Sequence, residues 1–165
     1  MQKRKFMNKT SNSEIIETFN TFTKDKFSLI LSTVNKNIEP LTSYSPFVED
    51  SNKFYTVMSS AMPHFKNIEE SLKAHVLIIE DEKDASHIFA RKRLYFNAEC
   101  KIVDGEEYFE LFDKRYGETL SFIRKMKDFK IVELVPKEKS LVLGFGATYL
   151  MNEEGKLIQK NISHK

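Results

Sequence analysis

The chain has 165 residues, of which 41% are hydrophobic and 30% are charged, and its formal net charge at pH 7 is +2. This balance is typical of one folded domain rather than a disordered chain, and so small a charge does not indicate a nucleic-acid partner. An apolar run such as residues 27–35 is far shorter than the roughly 20 apolar residues that span a bilayer, so we expect no transmembrane segment.

Cys100 is the single cysteine, which excludes an intrachain disulfide and a cysteine-cluster metal site. No apolar segment follows the basic residues at positions 1–9, so the sequence predicts no secretory signal. These two features predict a cytoplasmic protein with neither a membrane nor a nucleic acid as partner.

The first part of the chain predicts a helix followed by three strands. Ser11 and Glu14 have the spacing of a capping box. The apolar residues that follow recur with helical period: Ile15, Ile16, Phe19 and Phe22. Apolar stretches at 27–34, 40–48 and 53–58 are then separated by short polar connections, which predicts an antiparallel meander.

The middle of the chain contains the most regular strand. A short helix is predicted from Pro63 to Leu72, and a strand at 74–80. The next strand, at 89–103, alternates between an apolar and a polar face. The apolar face comprises Leu94, Phe96, Ala98, Cys100 and Ile102, and the polar face comprises Arg93, Tyr95, Asn97, Glu99 and Lys101.

The last third predicts a helix over 104–126, with a break near Gly117, and then more strands. These strands are predicted at 129–135, 140–145, 147–150 and 156–162. The last two form a hairpin that turns through residues 152–155, and the GFG sequence at 144–146 resembles a strand bulge.

Six or more antiparallel strands with helices inserted between them predict a small β-barrel with peripheral helices. No internal repeat or Pro/Gly-rich linker divides the chain, so we expect a single domain. Within it we distinguish a flexible N-terminus at 1–12, the barrel at 13–150, and a C-terminal hairpin and tail at 151–165. Barrels of this size commonly pair, which places ligand sites at the seam between subunits.

Four local motifs give the sequence a family resemblance. They are LSTV at 31–34, SYSPF at 43–47, the SS pair at 59–60 with HFKN at 64–67, and RKRL at 91–94. Their order resembles the FMN-binding split barrel of the pyridoxamine-phosphate-oxidase superfamily. DF at 128–129, GFGA at 144–147 and a histidine at position 164 are similar to its HugZ/HutZ-type haem-degrading branch. The likeness covers residues 13 to 164.

The resemblance implies a β-rich α+β fold, namely a six-stranded antiparallel split β-barrel with peripheral helices. It also implies a haem-degrading oxygenase that works as a homodimer, with haem (iron protoporphyrin IX) as both cofactor and substrate and an unidentified electron donor. One feature departs from the family: the usual Gly-x-Pro turn between the first two strands lacks its glycine at 37–40.

The resemblance assigns the iron ligand to His164, because this branch carries its proximal haem ligand on a C-terminal tail. An imidazole nitrogen is an ordinary axial ligand of haem iron. Asp128, taken as catalytic, would accept the N–H of that imidazole across the dimer and make it a stronger donor. The alternatives are a solvated histidine and a surface carboxylate.

Four basic or amide residues would bind the anionic groups of the cofactor. Arg91 and Arg93 alternate with Lys92, which predicts that they point to one side of the strand. Guanidinium groups match carboxylates and phosphates, so they would pair with a haem propionate or a flavin phosphate, and Arg93 could also steady bound oxygen. Lys66 and Asn67, at the start of a helix, have the same expected role. The alternative for both pairs is a solvated basic edge.

The same motifs imply that three further residues line the ligand site: Thr33 as a catalytic hydroxyl, with Ser45 and His64 as binding residues. The alternative for Thr33 is a residue that merely suits a strand. His75 is expected to be structural, His87 solvated and Cys100 a small buried hydrophobe.

Two alternative functions stay open. One is an FMN-dependent oxidase like pyridoxamine-phosphate oxidase, although no arginine follows Arg124 to hold a substrate phosphate near the C-terminus. The other is a non-catalytic haem- or flavin-binding protein on the same fold.

Overall fold

The computed structural model of the chain describes residues 11–160. The α-helices in this range are α1 (Asn12–Thr21), α2 (Pro63–Ser71) and α3 (Glu106–Tyr116). The strands are β1 (Ser28–Val34), β2 (Pro40–Asp50), β3 (Lys53–Ser59), β4 (Lys73–Ile79), β5 (Arg93–Val103), β6 (Phe129–Val142), β7 (Thr148–Met151) and β8 (Leu157–Lys160).

Strands β1 to β6 close an antiparallel barrel in the order β3–β2–β1–β4–β5–β6, with β6 pairing back onto β3. The large side chains that fill its interior include Leu29, Leu31, Phe47, Phe54, Phe96 and Leu134. A hairpin of β7 and β8 continues the sheet from the C-terminal half of β6. The predicted β-rich α+β fold, a six-stranded antiparallel split β-barrel with peripheral helices, is therefore confirmed.

Helix α1 begins at the predicted capping box. The Glu14 backbone N–H donates to Ser11 Oγ over 3.3 Å, and the Ser11 N–H donates to the Glu14 carboxylate over 2.7 Å. The helix buries Ile15 and Phe19 in the main core, and its C-cap Phe22 packs there as well. A satisfied N-terminus and an apolar stripe together explain why this segment is helical.

Strand β5 has the predicted alternation of buried and exposed residues but begins at Arg93. The predicted start at residue 89 is wrong, because Ile88–Ala90 forms a 3₁₀ turn. The His87 Nδ1 atom accepts the Phe89 backbone N–H over 3.2 Å and so closes this turn locally. A side chain that captures the backbone in this way competes with strand pairing.

The helix predicted over 104–126 ends earlier than expected. Gly117 adopts a φ of 59° at the C-cap of α3, a conformation that favours glycine, and its N–H donates to Asp113 O. Short 3₁₀ turns, Gly117–Leu120 and Ile123–Lys125, then lead to β6. The predicted break near Gly117 is confirmed, whereas continuation of the α-helix beyond it is wrong.

Strand β6 is one element of 14 residues, so the two strands predicted at 129–135 and 140–145 are wrong. Residues 136–139, predicted to lie between two strands, instead form a bulge within β6. Ala98 pairs with Pro136 and Phe96 with Lys139, which is a register shift across a bulge. Pairing with β5 therefore continues to Val142.

The GFG sequence at 144–146 forms the loop of the β6–β7 hairpin and not the expected bulge. The loop is closed by a bond from the Leu143 N–H to Ala147 O over 2.9 Å. Gly144 and Gly146 have φ angles of 139° and 67°, which an L-residue rarely adopts. Phe145 between them is exposed.

Candidate functional site

Asp128 lies immediately before β6, where it is tied to the end of β3. The Ser59 hydroxyl donates to Asp128 Oδ2 over 2.6 Å, and the Ser60 N–H donates to Asp128 O over 2.7 Å. The Asp128 side chain is exposed, so a further donor can reach its carboxylate. His164, the donor predicted for it, lies outside the described residues.

Thr33 and Asn67 form a buried pair that joins β1 to α2. The Asn67 Nδ2 atom donates to Thr33 Oγ1 over 3.0 Å, and the two residues are only 3% and 7% exposed. Each residue satisfies a polar group of the other, so this contact orients α2 on the barrel. Their predicted roles toward a ligand stay predictions.

His64 and Lys66 lie in the first turn of α2, directly after the segment that holds Asp128. Burial lowers the pKa of the half-buried His64, which favours a neutral ring at neutral pH. Lys66 is exposed. We call the end of β3, the first turn of α2 and Asp128 the α2 corner, because it gathers three of the predicted residues.

Ser45 bridges β2 and β3 where their backbones separate. The β2–β3 ladder ends at the pair Phe47–Thr56. Beyond it the buried Ser45 hydroxyl donates to Val57 O over 2.9 Å and accepts from Thr56 Oγ1 over 2.6 Å. Ser45 therefore holds the two strands together at the point where the barrel splits, and its predicted role toward a cofactor stays a prediction.

Arg91 and Arg93 lie at a different end of the sheet from the α2 corner. Arg91 precedes β5, so its expected place on the strand is wrong. Its Nε and Nη2 atoms donate to Glu80 O over 2.9 and 2.5 Å, and its Nη1 atom pairs with Glu82 over 3.0 Å. Arg93 donates through Nη1 to Arg91 O over 3.1 Å.

An aromatic cluster lies beside these arginines and was not predicted. The His87 ring lies between Phe89 and Phe145, with ring centroids 5.7 and 5.8 Å apart. Phe89 and Phe145 are 76% and 67% exposed. Nothing in local patterning links residues 87–89 to residue 145, since only the pairing of β5 with β6 brings them together.

Thr33 also borders a cleft of about 540 Å³ on the outer face of the barrel, and there the structure places residues that sequence reasoning missed. This cleft and a neighbouring one of about 450 Å³ share His75, Asn97 and Lys137. His75, expected to be structural, is exposed. The alternation of β4 and β5 was the signal that could have placed His75 and Asn97 together outside the barrel.

The structure thus brings together Asp128, His64 and Lys66 at one corner and Thr33 with Asn67 beside it, and keeps Arg91 and Arg93 apart from them.

Within residues 11–160, no three His, Cys, Asp or Glu side chains are arranged to hold a metal ion. In the same range, no helix has the length and apolar character needed to cross a membrane.

Comparisons with known proteins agree on one family. Residues 15–142 match the pyridoxamine 5'-phosphate oxidase family. The haem oxygenase HutZ of Vibrio cholerae is 32% identical over 133 residues, which cover 78% of this chain and 76% of HutZ.

Solved structures give the same result. ChuZ of Campylobacter jejuni has a TM-score of 0.85 and 30% identity, over 95% of this chain and 68% of ChuZ. The crystal structure of HutZ, described there as a haem storage protein, has a TM-score of 0.70 and 29% identity, over 78% of this chain and 93% of HutZ.

Proposed function

Because the chain belongs to the pyridoxamine 5'-phosphate oxidase family, in its HutZ/HugZ-type branch, we propose that it is a haem oxygenase that opens the porphyrin and releases iron. The observation that carries this proposal is the 32% identity to the haem oxygenase HutZ over most of both chains. Haem would be bound at the interface of a homodimer, with an electron donor supplied by the cell.

The residues around Arg93 fit the chemistry of haem, which combines an apolar ring with two carboxylates. Exposed Phe89 lies two residues before Arg91, and exposed Phe145 follows β6, whose Val142 pairs with Arg93. Among the described residues, Arg93 forms no ion pair with a carboxylate, so its guanidinium is available to a propionate. Arg91 is already engaged by Glu82, which makes Arg93 the stronger candidate.

Bound haem would supply the redox-active iron and the porphyrin ring that is opened. The chain's own residues would bind and orient it. In this proposal His164 ligates the iron, and Asp128 accepts the N–H of that imidazole from the other subunit. The bond from Ser59 to Asp128 Oδ2 already fixes the carboxylate, which supports this role.

The experiment that tests the function is a hemin titration followed by reduction in air. Haem oxygenase activity predicts a Soret band on hemin addition, which decays with ascorbate or a reductase while chelatable ferrous iron accumulates. Catalase in the assay removes free peroxide, and an anaerobic sample is the control. No Soret band would contradict the proposal.

A non-catalytic haem-binding protein is the second candidate, because the crystal structure of HutZ describes that relative as a haem storage protein. It predicts a stable Soret band under the same reducing conditions, with no release of iron. An FMN oxidase instead predicts flavin absorption peaks in the purified protein. The absence of arginine after Arg124 disfavours that function.

A further inference from the structure

Two consecutive serines at the end of β3 hold Asp128 by separate bonds. Ser59 is the last residue of β3 and pairs with Phe129, the first residue of β6, so Asp128 lies one residue beyond the closing pair of that ladder. There the Ser60 N–H donates to Asp128 O over 2.7 Å, and the Ser59 hydroxyl donates to Asp128 Oδ2 over 2.6 Å. The first bond fixes the backbone of Asp128 and the second fixes its carboxylate.

A further bond sets the direction in which the Ser59 hydroxyl donates. The Ala61 N–H donates to Ser59 Oγ over 3.2 Å. A hydroxyl has one proton and two lone pairs, so with a lone pair taken by Ala61 its proton remains for the Asp128 carboxylate. A length of 2.6 Å is usual for an O–H group that donates to a carboxylate. Consecutive bonds polarise each other, so the bond from Ala61 strengthens the donation to Asp128.

Ser59 is itself anchored to the N-terminus of α2. The Met62 N–H donates to Ser59 O over 3.1 Å, and Met62 O accepts the Phe65 N–H over 3.1 Å. The hydroxyl that holds Asp128 therefore belongs to a residue fixed by both β6 and α2. Regular elements hold a functional side chain more precisely than a loop does.

The orientation of the Asp128 carboxylate depends on this one hydroxyl. Within residues 11–160, no other side chain donates to it. Asp128 is exposed, and an exposed side chain without such a bond samples several rotamers. With Oδ2 bonded to Ser59, Oδ1 keeps both of its lone pairs for another donor. The local structure thus holds one carboxylate oxygen and leaves the other open.

We therefore infer that Ser59 is a positioning residue for the iron ligand: it holds Asp128 so that Oδ1 accepts the imidazole N–H, and it thereby sets how strongly the imidazole donates to iron. This inference rests on the proposed function, in which His164 is that imidazole. It adds a third residue to the pair, one that was not among the predicted site residues.

The test is resonance Raman spectroscopy of the reduced hemin complex, together with its iron reduction potential. Ser59→Ala removes the donor and leaves Asp128 free to rotate. We expect hemin still to bind, the iron–imidazole stretching frequency to fall and the potential to rise, because an imidazole that loses its acceptor donates less to the iron. Asp128→Asn should shift both values in the same direction. Ser59→Thr keeps a hydroxyl at this position and should restore both.

Ser60→Ala is the matched control. Ser60 bonds to Asp128 through its backbone N–H, which alanine keeps, so both values should equal those of the wild type. A merely structural role for Ser59 would lower the urea midpoint of Ser59→Ala and leave its iron–imidazole stretch unchanged. That result would overturn the inference.

A double variant shows whether Ser59 acts through Asp128. In an Asp128→Ala background, Ser59→Ala should cause no further shift of the stretching frequency or the potential, because the carboxylate that it positions is gone. Additive shifts would mean that Ser59 affects the iron by another route, and they would contradict the inference.

The remaining outcomes separate this inference from the proposed function. If the wild-type chain binds no hemin, both fail. If it binds and degrades hemin, and Asp128→Asn shifts the stretch while Ser59→Ala does not, Ser59 has no positioning role and the proposed function stands. A rise of the stretching frequency in Ser59→Ala would also overturn the inference, since it would mean that the hydroxyl only weakens Asp128 as an acceptor.

Discussion

His164 is the residue on which the proposed chemistry depends most. We expect His164→Ala to leave the barrel folded, because a residue near a chain end contributes little to a core. The hemin complex should lose its wild-type Soret position and most of its reductant-driven breakdown. Exogenous imidazole should partly restore the spectrum, since it can enter the vacated ligand position. Far-UV circular dichroism is the control for folding.

Asp128→Asn should have a milder effect in the same assays. An asparagine keeps the shape of the Asp128 side chain but no longer offers a charged acceptor, so haem still binds while turnover falls about 10- to 100-fold. A wild-type spectrum and rate in His164→Ala would mean that another histidine holds the iron and would contradict the role proposed for both residues.

The two arginines should respond differently to substitution. Arg93→Ala should weaken hemin binding by about 1.5–3 kcal/mol if its bond to a propionate is desolvated, with little change in the free energy of unfolding. Arg91→Ala should lower that free energy by about 1 kcal/mol, because Glu80 O loses the two bonds that Arg91 donates. Hemin titration and urea unfolding of both variants measure the difference. Equal hemin affinity in Arg93→Ala and wild type would mean that Arg93 does not bind a propionate.

At the level of elements, the attachment of α2 to β1 depends on the Thr33–Asn67 bond. Thr33→Val keeps the shape of the side chain but leaves the buried Asn67 amide without its acceptor. We expect the free energy of unfolding to fall by about 1–3 kcal/mol, measured by urea denaturation. Ser32→Ala on the same strand is the control, because among the described residues the Ser32 hydroxyl forms one side-chain hydrogen bond, a long one of 3.4 Å to Thr42. An unchanged midpoint in Thr33→Val would contradict this role.

The β1–β2 turn contains a residue in an unfavourable conformation. Ile38 has a φ of 64° at the place where the family usually has glycine, and its side chain is 80% exposed. The turn still closes because Asn35 Oδ1 accepts the N–H groups of Asn37 and Glu39 over 2.9 and 3.0 Å. A β-branched residue in this left-handed conformation costs about 1–2 kcal/mol relative to glycine. Replacing Ile38 with glycine would recover only part of this free energy, because glycine has more conformational freedom to lose when the chain folds.

Ile38→Gly should therefore raise the free energy of unfolding, by about 1 kcal/mol, and thermal or urea unfolding can measure the gain. Lys36→Gly in the same turn is the control and should give no gain, because Lys36 does not have a positive φ. A destabilised Ile38→Gly variant would mean that the side chain makes a contact worth more than the strain.

Local patterning was enough to predict the regular elements. The capping box at Ser11, the alternation of β5 and the break at Gly117 are each encoded within a few residues. Two of the errors lie where a distant segment decides the structure. Pro136 does not end β6, because β6 carries an extra residue between Pro136 and Lys139 and its pairing with β5 resumes beyond this bulge. The glycines at 144 and 146 form a hairpin loop because β7 pairs back onto β6.

At the scale of the whole molecule, the candidate site also combines residues that local motifs predicted with contacts that only distant strands bring about. Family motifs identified Asp128, His64 and Lys66, and the fold places them at one corner. Periodicity could place His75 and Asn97 on the outer face, but it could not show that they are direct partners, since that depends on the register of β4 against β5. Nor could it show that Glu82 already pairs with Arg91. No short sequence pattern indicates that two charged side chains nine residues apart will form an ion pair.

The proposed homodimer has a structural basis in β2. Among the described residues, β2 pairs with β3 only over 47–50, so residues 40–46 have a partner, β1, on one edge alone. Tyr44 in this half is 76% exposed. An open strand edge that carries an exposed aromatic residue is typical of a surface that another chain covers.

We therefore expect a dimer at micromolar concentration, with more than about 2,000 Å² of total buried area, as in obligate interfaces. Tyr44→Glu should shift the sedimentation equilibrium toward monomer, because a carboxylate would be buried without a partner. Phe122→Glu, at a residue 57% exposed outside β2, is the control and should leave the dimer intact. A wild-type monomer at micromolar concentration would contradict the dimer and, with it, the pairing of Asp128 with His164 across subunits. An intact Tyr44→Glu dimer would instead place the interface elsewhere on the barrel.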